Sequence, residues 1–185
     1  MDYKDLNWPG GYTITSRSST IRSQFIRAII PNIKPTDEEV RGCLKLLEQD
    51  PEELHCSYCG ITATEWDHFR PLVEKKTTTG YVTDIYNLVP TCGKCNQSKS
   101  GRHWKAWITG NARHAPAKNA ALDRRIQILE RFERWSTKRT HRLTDLARNN
   151  QELSEYMKSC EDLVNSFAAY QRTAERIKKR LEDQV

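Results

Sequence analysis

Four cysteines, one Asp-His pair and two asparagines carry the chemistry open to this sequence. Cys56 and Cys59 form one Cys-x-x-Cys pair and Cys92 and Cys95 a second, with 32 residues between the pairs. Asp67-His68 lies between them, Asn87 precedes the second pair, and Asn96 directly follows Cys95. Two short-spaced thiolate pairs satisfy a tetrahedral zinc ion and leave it no open position, so the expected role of Cys56, Cys59, Cys92 and Cys95 is structural. Gly60, directly after the first pair, permits the tight turn that aims both sulfurs at one ion. A zinc clamp alone also suits a non-catalytic ribbon, and what lies inside the clamp decides between the two.

Inside it are hard oxygen donors and one imidazole. Asp67 and Asn96 suit Mg2+ or Mn2+, which prefer oxygen and retain water. His68 beside them titrates near neutrality when unperturbed and can take a proton from an attacking water. Such a metal polarises a phosphate and stabilises a departing oxygen. Asn87 is placed to hydrogen-bond across the loop that carries His68. Each residue has an ordinary reading by itself, Asp67-His68 as a turn and the asparagines as caps. The expectation rests on their convergence inside the clamp.

The frame C-x2-C, W-D-H-x2-P-L, N-L-V-P-x-C-x2-C-N-x2-K resembles the zinc-containing HNH, or ββα-metal, endonucleases over roughly residues 54–108. The resemblance implies that His68 is the general base and that Asp67 and Asn96 hold the catalytic divalent ion. Asn87 then occupies the middle position of the motif. Asn96 stands where many members have histidine, although other members, notably phage resolving endonucleases, have asparagine. Small proteins with this frame look like bacterial or phage nucleases of the restriction or defence type. A structure-selective nuclease acting on branched DNA and a non-catalytic zinc module are the alternatives.

The elements that must position these residues follow from periodicity. Residues 1–16 read as an arm broken by Pro9-Gly10-Gly11. Ser18 or Ser19 starts a helix to about Ile30, with Ile21, Phe25, Ile26 and Ile29 on one face. Thr36 and Glu39 form a capping box for a second helix. A strand is expected over 62–69, a short return strand at Gly80–Thr83, and a helix from Cys92 to about Thr109. That helix puts His103 on the face of Asn96, as a ligand, a phosphate contact or a packing residue. Leu122, Ile126, Leu129 and Phe132 mark another helix from Ala120. Leu146, Asn149, Leu153, Tyr156, Cys160, Leu163, Phe167, Tyr170, Ala174, Ile177 and Leu181 then recur at heptad spacing. This last stretch either packs back on 120–135, forms a dimer or partner seam, or stands exposed.

The fold class is therefore mainly α with a small ββα-metal centre: an N-terminal helix pair, a four-cysteine zinc site and long C-terminal helices in a hairpin or coiled coil. The expected division is 1–53, 54–110 and 111–185. A net charge of +6 and a pI near 9.0 favour a polyanionic partner, here DNA. Lys75, Lys76, Lys94, Lys99, Arg102 and Lys105 are the expected phosphate contacts, which position DNA without reading its sequence. Arg17, Arg22, Arg27, Arg124, Arg125, Arg131 and Arg134 extend the basic surface, and Trp104 and Trp107 either stack on bases or fill the core. No stretch approaches the ~18 apolar residues of a membrane span, and no leader pattern opens the chain. A cytoplasmic setting is expected, where paired cysteines bind metal rather than form disulfides. Cys43 and Cys160 stand alone at apolar helical positions and read as buried small hydrophobes.

Overall fold

A computed structural model describes residues 10–146 and 150–184. These divide into two compact units. The first lies within residues 26–150, and the second combines 10–25 with 151–184.

The first unit begins at the end of α1 (Ser18–Ala28), which a 3-10 turn at Ile14–Arg17 precedes. α2 (Asp37–Leu46) starts at the expected capping box: Thr36 accepts from the Glu39 backbone N–H, while the Glu39 carboxylate accepts from the Thr36 N–H at 2.7 Å. β1 (Glu65–His68) follows the first cysteine pair. It is paired antiparallel not with Gly80–Thr83 but with a strand at Leu88–Thr91, in the register Asp67 to Val89 and His68 to Leu88. The expected return strand is thus displaced. Gly80–Thr83 instead contributes isolated bridges, Asn32 to Thr83 and Tyr81 to Arg142. Pro90 lacks an N–H, which a two-stranded ribbon tolerates because each strand has an edge free of ladder bonds. Between the paired strands lies a small hairpin of β2 (Val73–Glu74) and β3 (Thr77–Thr78), and β4 is the Leu88–Thr91 strand.

The helix expected from Cys92 to Thr109 is broken in two. α3 (Gly93–Lys99) ends at Ser100, whose φ of 50° leaves the helical region, and α4 (Trp104–Ile108) restarts with His103 as its N-cap. α5 (Ala120–Ser136) is capped by the Asn119 side chain and buries Leu122, Leu129 and Phe132. α6 (Leu143–Leu146) follows.

The core of this unit brings α2, the knuckle, β1, β4, α4 and α5 together. Tyr58, Phe69, Val89, Trp104, Trp107, Ile108, Leu129 and Phe132 are all buried in one cluster. Phe69 stacks on Trp104 and meets Phe132 edge-on, with ring centroids 5.2 and 5.3 Å apart. Trp104 and Trp107 are therefore core residues rather than base-stacking surfaces. Cys43 is buried here too, as a small hydrophobe on α2.

In the second unit α7 (Gln151–Glu182) carries the heptad stripe. Asn149 of that pattern and the first nine residues of the N-terminal arm lie outside the described residues. Tyr156 packs against Phe25 and donates to its carbonyl at 3.1 Å, and Arg22 forms a two-bond ion pair with Glu161. Arg22 is thus committed to a carboxylate rather than free for phosphate. Cys160 is buried, whereas Leu163, Tyr170, Ile177 and Leu181 are exposed.

Candidate functional site

The local fold gathers the four cysteines. The first knuckle closes through Gly60 N–H to Cys56 O at 2.8 Å, with Gly60 at φ 82°, a left-handed conformation that favours glycine. Ser57 N–H donates to Pro90 O at 2.9 Å and thereby hangs the knuckle on β4, whose last residue precedes Cys92. The ligand atoms of Cys56, Cys59, Cys92 and Cys95 all lie within 4.8 Å of one another, and the Cys59 and Cys92 sulfurs are 3.7 Å apart. A Zn–S bond of about 2.3 Å implies a tetrahedral edge of about 3.8 Å. The donor set fits zinc. Its electrostatics agree: hydrogen bonding from Cys95 holds the Cys56 thiol well below the usual range, while Cys95 itself is raised by that same bond. Four crowded sulfurs without a cation favour one shared thiolate, and a divalent ion lets all four deprotonate.

The clamp sets the neighbours of its ligands. Tyr58, inside the first knuckle and fully buried, donates its hydroxyl to Asp67 Oδ2 at 2.7 Å. Lys99, one turn after Cys95, places its Nζ 3.0 Å from the same oxygen and 2.8 Å from the His68 carbonyl. Lys99 is therefore not the phosphate contact expected from sequence. It has 0% exposure and is instead the buried counter-ion of Asp67, because the turn of α3 points it under β1. Burial pushes the Asp67 carboxyl up and the Lys99 ammonium down, and their mutual attraction opposes both shifts.

Asp67, His68 and Asn96 line one cleft of about 220 Å3, with Arg27, Trp66, Pro71, Leu72, Val73, Ser100 and Gly101. His68 Nε2 lies 2.8 Å from Thr83 Oγ1, and burial followed by the charges of Arg27 and Lys99 lowers its pKa to about 4. Thr83 is itself held by the segment before α2: Ile33 N–H donates to its carbonyl and its N–H donates to Pro31 O. Asn87 is wholly buried. Its Oδ1 accepts from Arg70 N–H at 2.9 Å, and its Nδ2 donates to the Arg70 and Val82 carbonyls. It therefore ties the backbone just after His68 to the segment carrying Thr83, while Thr83 contacts the ring. Asn96 Nδ2 donates to Glu65 Oε2 at 2.5 Å. Asn96 Oδ1 and the second Asp67 oxygen are hard donors of the kind a magnesium-like ion prefers, on two residues that line the same cleft.

Sequence reasoning does not single out Thr83 or Glu65. Glu65 has a signal, since a strand places it on the face of Asp67 two residues on; Thr83 has none. His103 does not join Asn96, because the break at Ser100 ends their common helix. Its Nδ1 accepts from Lys105 N–H and its Nε2 lies 3.5 Å from Glu133. Among the other cations named from sequence, Lys75, Lys76 and Lys94 are exposed. Arg102 is exposed but hydrogen-bonded to the Ser98 and Lys99 carbonyls, and Lys105 pairs with Glu130 at 2.6 Å. Arg124 and Arg131 both pair with Glu48, which reduces the basic surface of α5.

Residues 56–102 match the HNH endonuclease family. This is the segment bounded by the zinc knuckles and holding the cleft, so the HNH match and the geometry coincide. It implies nuclease activity and a nucleic-acid substrate. No curated protein and no solved structure matches the chain. No described helix is long and apolar enough to cross a membrane.

Proposed function

We propose that this protein is a divalent-metal-dependent DNA endonuclease whose core lies within residues 54–110. The observation that carries the reading is the single cleft bringing an imidazole, a carboxylate and an amide together beside a four-cysteine clamp. Asn96 Oδ1 and the Asp67 oxygen free of Tyr58 and Lys99 would hold Mg2+ or Mn2+. When bound, that ion supplies polarisation of the scissile phosphate and charge for the departing oxygen. His68 supplies the base. In the tautomer whose Nε2–H donates to Thr83 Oγ1, Nδ1 holds the lone pair that takes the proton of the attacking water, and the low pKa keeps the ring neutral at pH 7. Lys99 holds Asp67 by charge from below and steadies the His68 carbonyl. Exposed Lys75, Lys76 and Lys94 supply sequence-independent attraction to the backbone, with Arg102 beside them.

The setting that this reading favours is cytoplasmic restriction or phage defence, supported by the likeness of the frame to small bacterial and phage nucleases. Exposed Leu163, Tyr170 and Ile177, one heptad apart, support a second copy of the chain as the partner of α7. A gel-filtration mass of one chain would count against that partner. The catalytic reading is tested by nicking of supercoiled plasmid with Mg2+ or Mn2+. The parent cuts, and a folded, zinc-loaded His68→Ala protein does not. Equal cutting by both proteins sinks the assignment of the base, and no cutting by the parent leaves a zinc module that only binds.

A further inference from the structure

Asn96 has one donor end and one acceptor end, and only the acceptor serves a cation. Nothing in its own chemistry decides which end faces the cleft. Its Nδ2 lies 2.5 Å from Glu65 Oε2. An ionised carboxylate can only accept, so the amide must turn its NH2 toward Glu65 and its Oδ1 away. Among the described residues no hydrogen bond engages that Oδ1, and Asn96 lines the cleft with Asp67 and His68. A second observation concerns the room left for the carboxylate. A Cβ at position 93, on the turn of α3 before Asn96, would stand 2.8 Å from Glu65 Oε1. Gly93 keeps that space open. Glu65 itself is on β1, outside the cleft lining, and acts through its neighbour.

We infer that Glu65 is a positioning residue that locks the Asn96 amide with Oδ1 toward the divalent cation, an inference that rests on the metal-dependent nuclease reading above. Without the lock the amide rotates, and for part of the time it presents two N–H donors to a cation. A carboxylate placed behind a metal-binding side chain typically contributes roughly 10- to 100-fold in metal affinity.

The test measures Mn2+ binding by electron paramagnetic resonance on the full, zinc-loaded chain without DNA, so that it does not depend on turnover. Asn96→Ala identifies the site by abolishing it. Glu65→Ala should raise the Mn2+ concentration for half-occupancy by roughly 10- to 100-fold. Glu65→Gln, which keeps the shape and can accept through its own carbonyl, should raise it less. Both Glu65 variants should keep the parent's zinc content and melting temperature. A residue that mattered only to folding would not give that pattern. Parent-like Mn2+ affinity in both Glu65 variants, with zinc content and melting unchanged, overturns the inference. If the parent cuts plasmid and the Glu65 variants bind Mn2+ as it does, positioning fails and the nuclease reading stands. If the variants lose Mn2+ and the parent cuts nothing, positioning stands and the nuclease reading fails.

Discussion

Replacing Lys99 by methionine removes a buried ammonium and leaves its carboxylate behind. Asp67 is 4% exposed and Lys99 0%, so the pair is almost wholly removed from water. Breaking a buried pair from one side costs about 3–5 kcal/mol. Without Lys99, Asp67 keeps only the Tyr58 hydroxyl on Oδ2, and burial, already the largest influence on it, drives its pKa further up. A carboxyl pKa raised in the folded state above its unfolded value near 3.9 costs stability at neutral pH. The His68 carbonyl also loses its donor, worth about 1 kcal/mol. The sign of the pH dependence follows: a raised carboxyl pKa penalises folding most above the folded pKa, and the penalty fades as pH falls toward 3.9. Urea unfolding with zinc present, followed by tryptophan fluorescence, reports on the first unit through Trp66, Trp104, Trp107 and Trp135. At pH 7.5 Lys99→Met should be about 3–5 kcal/mol less stable than the parent, and at pH 5 the deficit should be smaller. Adding Asp67→Asn should recover most of it. A deficit under about 1 kcal/mol at pH 7.5, or one equally large at pH 5, would refute the picture of a buried charged pair.

Other outcomes follow from the same geometry. The chain should bind one zinc ion, and Cys95→Ser or a strong chelator should release it and collapse the unfolding transition of residues 26–150; a metal-free chain with parent stability contradicts the clamp. Thr83→Val should lower the cleavage rate roughly tenfold with DNA binding unchanged, as expected for loss of a supporting hydrogen bond, and Thr83→Ser should restore it. Because His68 sits at about 4, the ring is neutral at pH 7 and gains its proton only as pH falls toward that value. The rate should therefore stay level from pH 8 down to 6 at fixed metal. An acid limb centred at or above the unperturbed value near 6.5 would mean that burial does not depress the base.

Much of this arrangement can be read from residue types because its parts are close in sequence. The cysteine pairs carry their own spacing, Asn96 adjoins a ligand, and the Thr36–Glu39 capping box is a four-residue signal. What the sequence hides depends on long-range choices. Gly80–Thr83 and Leu88–Thr91 both suit a short strand, and the long-range bonds that hold the second, Ser57 to Pro90 and Thr64 to Thr91 among them, leave no mark on its local sequence. The end of α3 at Ser100 needs a left-handed residue where the sequence offers Gly101 one position later, so neither the boundary nor the fate of His103 is legible beforehand. Lys99 lies in a run with Lys94, Arg102 and Lys105 and looks like surface. Its burial follows from an oxygen 32 positions earlier in the chain, which no local pattern records.

The zinc clamp and the cleft are one construction rather than a scaffold with a site attached. Tyr58 lies between the first two ligands and holds Asp67; Asn96 and Lys99 lie one and four residues after the last ligand and serve the cleft and Asp67 in turn. The first knuckle hangs on β4, and β4 is the partner strand that sets the register of His68. Losing the ion would free both knuckles, and with them the hydroxyl, the ammonium and the amide that define the cleft. A chain prepared without zinc should therefore fail to bind Mn2+ at Asn96. Asp67 tolerates its burial because Tyr58 and Lys99 both meet one of its oxygens, and in the proposed site that anchoring would hold the other oxygen at a fixed place for a cation, as a freely rotating carboxylate would not.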